Sequence, residues 1–335
     1  MNLLRRLRLD PFIFVLLGTI AVAALLPVRG EAADIFDYVV TAAIALLFFL
    51  YGAKLSGKAV IDGLMHWRLQ GLVFLVTYGL FPLVGLLIAT LSVNHLSPEL
   101  RAGILFLSAL PSTVQSSIAF TSIAHGNVAA ALTSASLSNL TGVFLTPILV
   151  SFLLGAHGGF DASSVLDIAM QILLPFVLGQ IARPLIGAWL QKYRKVTSLV
   201  DRGVIVLVVY SAFSEGMVEG IWSRIELRQL LWMALFCALL LGIVMVTIAI
   251  VVRILNFNRE DRIAIQFCGS KKSLATGIPM AGILFGGQSV AMMVLPLMFF
   301  HQLQLFVCAI LAQQFAAHRP VEPEHATVEE ARTGA

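Results

Sequence analysis

Two long stretches without any charged side chain constrain the fold of this chain more than any other feature. No Lys, Arg, Asp or Glu occurs in the 59 residues between Arg101 and Asp161, or in the 46 residues between Lys272 and Arg319. One helical crossing of a bilayer takes about 20 apolar residues, so each stretch is long enough for two crossings. The whole chain is 12% charged, whereas soluble domains carry roughly 25% charged residues. The sequence therefore predicts an integral membrane protein.

The apolar segments predict helices rather than strands. Hydrocarbon offers no partner to a free backbone group, so only helices and closed barrels span a bilayer. The strands of a barrel alternate between polar and apolar residues, whereas segments such as Leu72–Leu91 and Leu230–Val252 are apolar on every face. We expect an all-α protein with ten transmembrane helices, over residues 11–28, 35–55, 69–91, 99–123, 127–154, 164–186, 202–222, 229–253, 262–285 and 289–316.

The distribution of positive charge predicts the orientation of these helices. Cytoplasmic loops of membrane proteins carry an excess of Lys and Arg. If the N-terminus is cytoplasmic, 16 of the 22 Lys and Arg residues lie on the cytoplasmic side, four lie outside, and Lys271 and Lys272 lie within a helix. We therefore expect both termini on the cytoplasmic side. A bacterial inner membrane is the expected location. The segment 317–335, rich in Pro and Glu, is expected to be a disordered cytoplasmic tail.

The two halves of the chain share a weak internal repeat. A shift of 161 residues places the fourth predicted helix on the ninth and the Gly126-Asn127 turn on Gly287-Gln288. The first apolar run, which also fits a signal peptide, completes a first set of five helices. Five is an odd number, so the second set enters the bilayer upside down, as in many secondary transporters. We predict a first repeat over 1–161 and an inverted second repeat over 162–316.

The fourth and ninth predicted helices both contain residues that interrupt a helix. Pro111 lies within the fourth, and Gly269, Gly277 and Pro279 lie within the ninth. Both places are dense in polar side chains, and in an inverted repeat they cross near the midplane, where transporter sites lie. Small hydroxyl residues also pack helices together without any transport role, which is the alternative for the serines of the fifth helix. We predict a substrate or ion site from Thr113, Gln115, Ser116, Ser117, Thr133, Ser134, Ser138, Asn139, Ser270, Lys271, Lys272, Ser273 and Thr276.

Lys271 and Lys272 are the most unusual residues of the predicted site. A charge at the centre of a membrane helix costs several kcal/mol and is rarely kept without a role. No acidic residue lies at the same predicted depth, so an ion pair does not explain them. Adjacent helical residues point about 100° apart, so we expect one lysine at the crossover and the other beside a water-filled cavity. His301, close to Gln302 and Gln304, is expected to be an ordinary buried histidine.

Four motifs are distinctive, and they are Phe49–Ser56, Leu110–Thr121, Gly126–Ala130 and Phe267–Gly277. From about residue 10 to residue 316, the chain resembles the bile acid:sodium symporter superfamily, solute carrier family ten, and in particular its seventh-member-like branch. The resemblance implies a panel domain of helices 1, 2, 6 and 7. It also implies a core domain of helices 3, 4, 5, 8, 9 and 10, in which helices 4 and 9 cross.

The resemblance further implies where a sodium-coupled relative holds its ion. The family's ligands on the fourth and fifth helices fall on Ser116-Ser117 or Ser117-Ile118, and on Thr133, Ser134 and Ser138. This sequence departs from the family on the ninth helix, where Phe267 stands at the carboxylate position and the two lysines stand at the Gln-Asn positions. Ammonium groups repel a nearby cation in a low dielectric, so we expect no sodium site of the family's kind, no other metal and no cofactor.

The leading hypothesis is a carrier for a small organic anion that works by alternating access, either sodium-independent or proton-coupled. A bile-acid-type sodium symporter and a non-transporting regulator of ion homeostasis remain alternatives. An enzyme is not expected, because no nucleophile–base pair or acidic cluster lies at midplane. The net charge of +4 comes mostly from loops, so no nucleic-acid partner is expected. A cavity lined by Gln115, Ser117 and Lys271 would favour the carrier, and a closed core would favour the regulator.

Overall fold

The structure of the chain, a computed structural model, is built from helices. It describes residues 11–54, 66–155, 162–218, 220, 226–285 and 290–317, and these contain no β-strand. The predicted turn at Gly287-Gln288 and the tail beyond Ala317 lie outside the described residues. The helices are α1 (Pro11–Leu25), α2 (Glu31–Lys54), α3 (Trp67–Leu91), α4a (Pro98–Ala109), α4b (Val114–Ile123), α5 (Val128–Gly155), α6 (Ala162–Lys192), α7 (Arg194–Val218), α8 (Leu227–Ile254), α9a (Arg259–Gly269), α9b (Leu274–Leu284) and α10 (Val290–Ala317).

Most of these helices can span a bilayer. Within the described ranges, seven are long and apolar enough to do so, namely α2, α3, α5, α6, α7, α8 and α10, and the bent pair α4a–α4b makes eight. The chain is therefore a multi-pass membrane protein. The helix α1, with 15 residues, and the pair α9a–α9b were also predicted to cross, and the ten-helix arrangement remains a prediction.

Local sequence signals explain where the two interrupted helices begin. Ser97 precedes α4a, and its side chain accepts a hydrogen bond from the backbone N–H of Leu100, with Pro98 in the first turn. Asn258 precedes α9a, and its side-chain oxygen accepts from the N–H of Asp261 at 2.7 Å. Both residues are favourable N-caps, because each provides an acceptor for a backbone N–H that has no partner within the helix.

The predicted interruptions at Pro111 and after Gly269 are present. The helix α4a ends at Ala109, and α4b starts at Val114 with a bend of 62° between the two axes. Pro111 lies in the extended segment between them. The helix α9a ends at Gly269, and α9b starts at Leu274; of the four residues between them, 271–273 lie outside any helix or turn.

The prediction that Gly277 and Pro279 also break the ninth helix is wrong, because both lie inside α9b. Ser273 caps this helix by accepting a hydrogen bond from the N–H of Thr276 at 3.2 Å, so the helix restarts before it reaches Gly277. A Cβ on Gly277 would lie 2.5 Å from a methyl carbon of Leu110, so the glycine allows close packing rather than a break. Neighbouring helices compensate for proline within membrane helices, which explains why Pro279 is tolerated.

The interruptions lie in the buried interior of the molecule, where α4a, α4b, α9a and α9b pack against α5 and α10. The helices α1, α2, α6 and α7 pack mainly against one another, with α6 and α7 also contacting this interior. This arrangement positions the functional site, although the division into a panel domain and a core domain remains a prediction.

Candidate functional site

Polar groups at the two helix interruptions form hydrogen bonds with each other. The N–H of Ser273, in the break of α9, donates to the carbonyl of Pro111 at 2.9 Å. In the opposite direction, the Thr113 hydroxyl donates to the carbonyl of Lys272 at 2.8 Å, and the Ser112 hydroxyl donates to the carbonyl of Cys268. Polar groups at helix ends need partners outside the helix. Each break therefore supplies the partners that the other needs.

Lys272 holds this junction together through its side chain. Its ammonium group donates to three backbone carbonyls, those of Thr77 at 2.8 Å, Ser108 at 2.8 Å and Leu110 at 2.6 Å. The ammonium nitrogen also lies 4.2 Å from the ring centroid of Phe81. The whole side chain is buried. The three donors of the ammonium are thus all used.

The positions of the three carbonyls in their helices explain why they can accept hydrogen bonds from the Lys272 ammonium. Ser108 and Leu110 lie at the C-terminal end of α4a, where carbonyls lack helical partners and carry partial negative charge. Thr77 lies in a π-helical turn, Val76–Leu80, in the middle of α3. Such turns change the register of the helical hydrogen bonds and are frequent at functional sites. A cation at this point therefore meets oxygen atoms from two helices.

Gln304 of α10 fixes the peptide group of Lys272 from the other side. Its side-chain oxygen accepts from the Lys272 N–H at 2.8 Å, and its side-chain amide donates to the Lys272 carbonyl at 2.9 Å. Gln304 is completely buried and also lies 3.0 Å from Nδ1 of His301. Sequence reasoning noted Gln304 but did not include it in the site, although a glutamine within an apolar helix was a usable signal.

Lys271 has very different surroundings. It is completely buried, and its ammonium nitrogen has no hydrogen-bond partner among the described residues. The nitrogen lies 4.1 Å from the ring centroid of Phe120 and 5.5 Å from that of Phe267. The two lysines were expected to differ, and they do. The water-filled cavity expected beside one of them is absent in this conformation, because neither lysine exposes surface to a water-sized probe.

The helix α5 ties the two interruptions together. The Ser138 hydroxyl accepts from the N–H of Ser112 at 2.9 Å, and the Asn139 amide donates to the Ser112 carbonyl at 2.7 Å. The side-chain oxygen of Asn139 accepts from the Thr276 hydroxyl at 2.9 Å. One asparagine therefore links the break of the fourth helix to the first turn of α9b. Ser117, on α4b, donates to the Phe267 carbonyl at 3.2 Å and adds another link.

Other predicted residues do not join the junction. The hydroxyls of Thr133 and Ser270 donate to carbonyls of their own helices, at 2.9 Å and 2.6 Å. Ser134 donates to Gln70 of α3 at 2.8 Å, on a separate polar contact. The buried hydroxyl oxygen of Ser116 has no hydrogen-bond partner in the described part of the chain.

The packing around the site is closed. Ser117 and Lys271 expose no surface to a water-sized probe, whereas Gln115 is exposed. These three residues therefore do not line a common cavity in this conformation. Among the described residues, no group of three or more His, Cys, Asp or Glu could hold a metal ion. The ring of Phe267 offers no oxygen to sodium, and it lies beside the Lys271 ammonium, so this position does not fit a sodium ion.

Comparisons with known proteins agree with this architecture. The model of the SBF-like CPA transporter family matches residues 10–317. An uncharacterized protein of Pseudomonas aeruginosa is 51% identical over 312 residues, covering 92% of this chain and 94% of the relative. YfeH of Escherichia coli, named as a candidate symporter, is 50% identical over 92% of this chain and 93% of its own length. The sodium/bile acid cotransporter 7 of Rattus norvegicus is 27% identical over 93% of this chain and 94% of its own length.

Proposed function

Because the chain belongs to the SBF-like CPA transporter family, whose members are transporters and not enzymes, we propose that it is a secondary active transporter of a small organic anion. It works by alternating access and does not use sodium at the family's carboxylate position. Lys272 occupies the helix crossover in place of a bound cation. A bacterial inner membrane is its proposed location.

The observation that carries this proposal is the bonding of the Lys272 ammonium to three backbone carbonyls of α3 and α4a. Carbonyl oxygens at the ends of broken helices coordinate coupling cations in secondary transporters. An ammonium group attached to the chain satisfies the same oxygens permanently. With Phe267 at the carboxylate position, the junction contains less negative charge, so a single tethered positive charge is enough to balance it.

An organic anion is the proposed substrate class because the buried interior contains two lysines and no carboxylate within ion-pair distance of them in the described ranges. The Lys271 ammonium has no hydrogen-bond acceptor among the described residues, so an anion that reaches it would supply the missing negative charge. The name of the rat relative refers to bile acids, which are organic anions, and this makes a bile acid a reasonable first probe.

The topology belongs to the same proposal. Ten crossings, with α1 and the pair α9a–α9b included, would form two inverted repeats over 1–161 and 162–316 and place both termini in the cytoplasm. In this arrangement the junction of the two broken helices lies near the bilayer midplane. The helices α1, α2, α6 and α7 would form a panel against which the remaining helices move.

Uptake by proteoliposomes tests the function. The purified protein is reconstituted, and uptake of radiolabelled taurocholate, an aryl sulfate and a simple carboxylate is measured with an inward sodium gradient, an inward proton gradient or neither. We expect uptake of at least one of these anions above protein-free liposomes without any sodium. Strict dependence on sodium would instead support a bile-acid-type symporter.

Failure to carry any of the anions would favour the second alternative, a membrane regulator of ion homeostasis. The closed packing around Ser117 and Lys271 is the outcome that was expected to favour such a protein. A carrier in an occluded state would have the same closed packing, so the uptake measurement separates the two.

A further inference from the structure

The two adjacent lysines differ sharply in how their ammonium groups are stabilised. Lys272 has three hydrogen-bond acceptors at 2.6–2.8 Å, one for each of its N–H donors. Lys271 is equally buried, but its nitrogen has no acceptor within hydrogen-bond distance among the described residues. The surroundings of Lys272 stabilise a permanent positive charge, and the surroundings of Lys271 do not.

The groups that face Lys271 come from three helices. The rings of Phe120 on α4b and Phe267 on α9a lie against its nitrogen, at 4.1 Å and 5.5 Å to their centroids. The titratable groups that face it are two thiols, Cys268 on α9a and Cys308 on α10, both buried. No carboxylate lies within ion-pair distance of Lys271 in the described part of the chain.

The aromatic rings compensate only part of the free energy needed to bury an ammonium. A desolvated cation–π contact contributes less free energy than the burial of an unpaired ion costs. A lysine can avoid that cost by losing a proton, because the neutral amine fits an aromatic pocket without a counter-ion. An arginine cannot do so, because its guanidinium stays charged.

We propose that Lys271 is the residue that binds and releases a coupling proton during the transport cycle, while Lys272 stays charged as a fixed anchor. The step is the exchange of one proton between the ε-ammonium of Lys271 and water on the side to which the site is open. This inference rests on the proposed carrier function for its physiological meaning.

The proposal also narrows the substrate class to monovalent organic anions. A neutral Lys271 in the empty carrier, and an ammonium beside a carboxylate or sulfonate in the loaded carrier, give the site the same net charge in both states. Moving net negative charge into the cell would work against the membrane potential. With proton coupling at Lys271, a monovalent anion crosses together with one proton and carries no net charge, so the membrane potential does not oppose its transport.

Lysine-specific NMR tests the inference on the full-length protein in lipid nanodiscs. The chain contains six lysines, so their ¹³Cε signals are few. The Lys271 signal is assigned by its loss in Lys271→Gln and independently in Lys271→Arg, so that one unstable variant does not prevent the assignment. The Lys272→Gln and Lys192→Gln variants assign an anchor lysine and an exposed lysine. The spectra are then recorded from about pH 5 to about pH 10, the range in which buried lysines change protonation.

We expect the Lys271 signal to move between the positions of the ammonium and the amine within this range, while the Lys272 signal stays at the ammonium position throughout. A Lys271 signal that stays at one position, or a Lys272 signal that moves instead, would overturn the proposal. The titration requires no transported anion. A Lys271 signal that does not move therefore refutes proton exchange but leaves the carrier function open. A Lys271 signal that moves, in a protein that takes up none of the anions, contradicts the carrier function but not proton exchange.

Discussion

At the scale of single residues, the junction depends on one side chain that reaches backbone atoms of two other helices. The Lys272 ammonium contacts the carbonyls of Thr77, Ser108 and Leu110, and Gln304 holds its peptide group. Each carbonyl would otherwise be a buried acceptor without a donor, at about 1–3 kcal/mol per group. The lysine therefore stabilises a junction of broken helices that would be unfavourable without it.

The Lys272→Ala variant is expected to unfold at a lower temperature than the native protein, because three carbonyls lose their donor. Ammonium or potassium chloride should restore part of the loss, since a small cation fits among carbonyl oxygens, whereas N-methyl-glucamine chloride at equal ionic strength should not. Thermal unfolding of the purified protein measures both effects. The matched control is Lys192→Ala, at an exposed lysine of α6. Equal unfolding temperatures for the two variants would contradict the anchoring role.

At the scale of helices, close packing through glycine holds α2 against α6. A Cβ on Gly52 would collide with the backbone carbonyl of Phe176, and a Cβ on Gly179 would collide with that of Phe49. Small residues at such contacts allow membrane helices to approach each other and gain dispersion energy. The two helices are therefore expected to move together as one rigid pair.

We expect Gly52→Ala to destabilise the protein by about 1–3 kcal/mol, the usual range for overpacking, because the new methyl group meets backbone atoms and not a flexible side chain. Gly242→Ala on α8 is the control, since no atom lies within 4 Å of a Cβ there. It should be neutral or slightly stabilising, as alanine favours helices. Thermal unfolding compares the two variants, and a Gly52→Ala protein as stable as Gly242→Ala would refute close α2–α6 packing.

At the scale of the whole molecule, the orientation predicted from the charge distribution can be tested by cysteine labelling near Gly30 and near Gly126, which the ten-helix arrangement places on opposite sides of the membrane. Gly30 has a φ of +59°, and a Cβ on Gly126 would lie 2.5 Å from Ile263, so cysteine at either place would cause strain. Arg29 and Ser122 are exposed neighbours and accept a cysteine without these problems.

Arg29→Cys should react with a membrane-impermeant maleimide from outside intact spheroplasts, and Ser122→Cys should react only after the membrane is opened. The three native cysteines are buried, so we expect little labelling of the protein without an introduced cysteine. The ten-helix arrangement places the two positions on opposite sides of the membrane, so labelling of both variants from the same side would contradict it.

The sequence by itself determined the features that depend on local composition. Charge-free stretches longer than a single crossing require helices in a membrane, because no other structure satisfies the backbone in hydrocarbon without alternating residues. The breaks at Pro111 and after Gly269 were also expected from local chemistry, because proline and glycine each make a helix less favourable. Two adjacent lysines in an apolar segment are the signal on which the prediction of a site there rests.

Tertiary structure decided which of these signals had an effect. Gly277 and Pro279 carry the same local signal as Gly269, yet they are helical because Ser273 caps the helix and Leu110 packs on the glycine. The choice of Lys272 as the anchor depends on the Thr77 carbonyl in a π turn of α3. The residue type does not show whether a backbone carbonyl is free to accept a hydrogen bond, because that depends on how distant helices pack. The sequence therefore could not show which of the two lysines would bind these carbonyls.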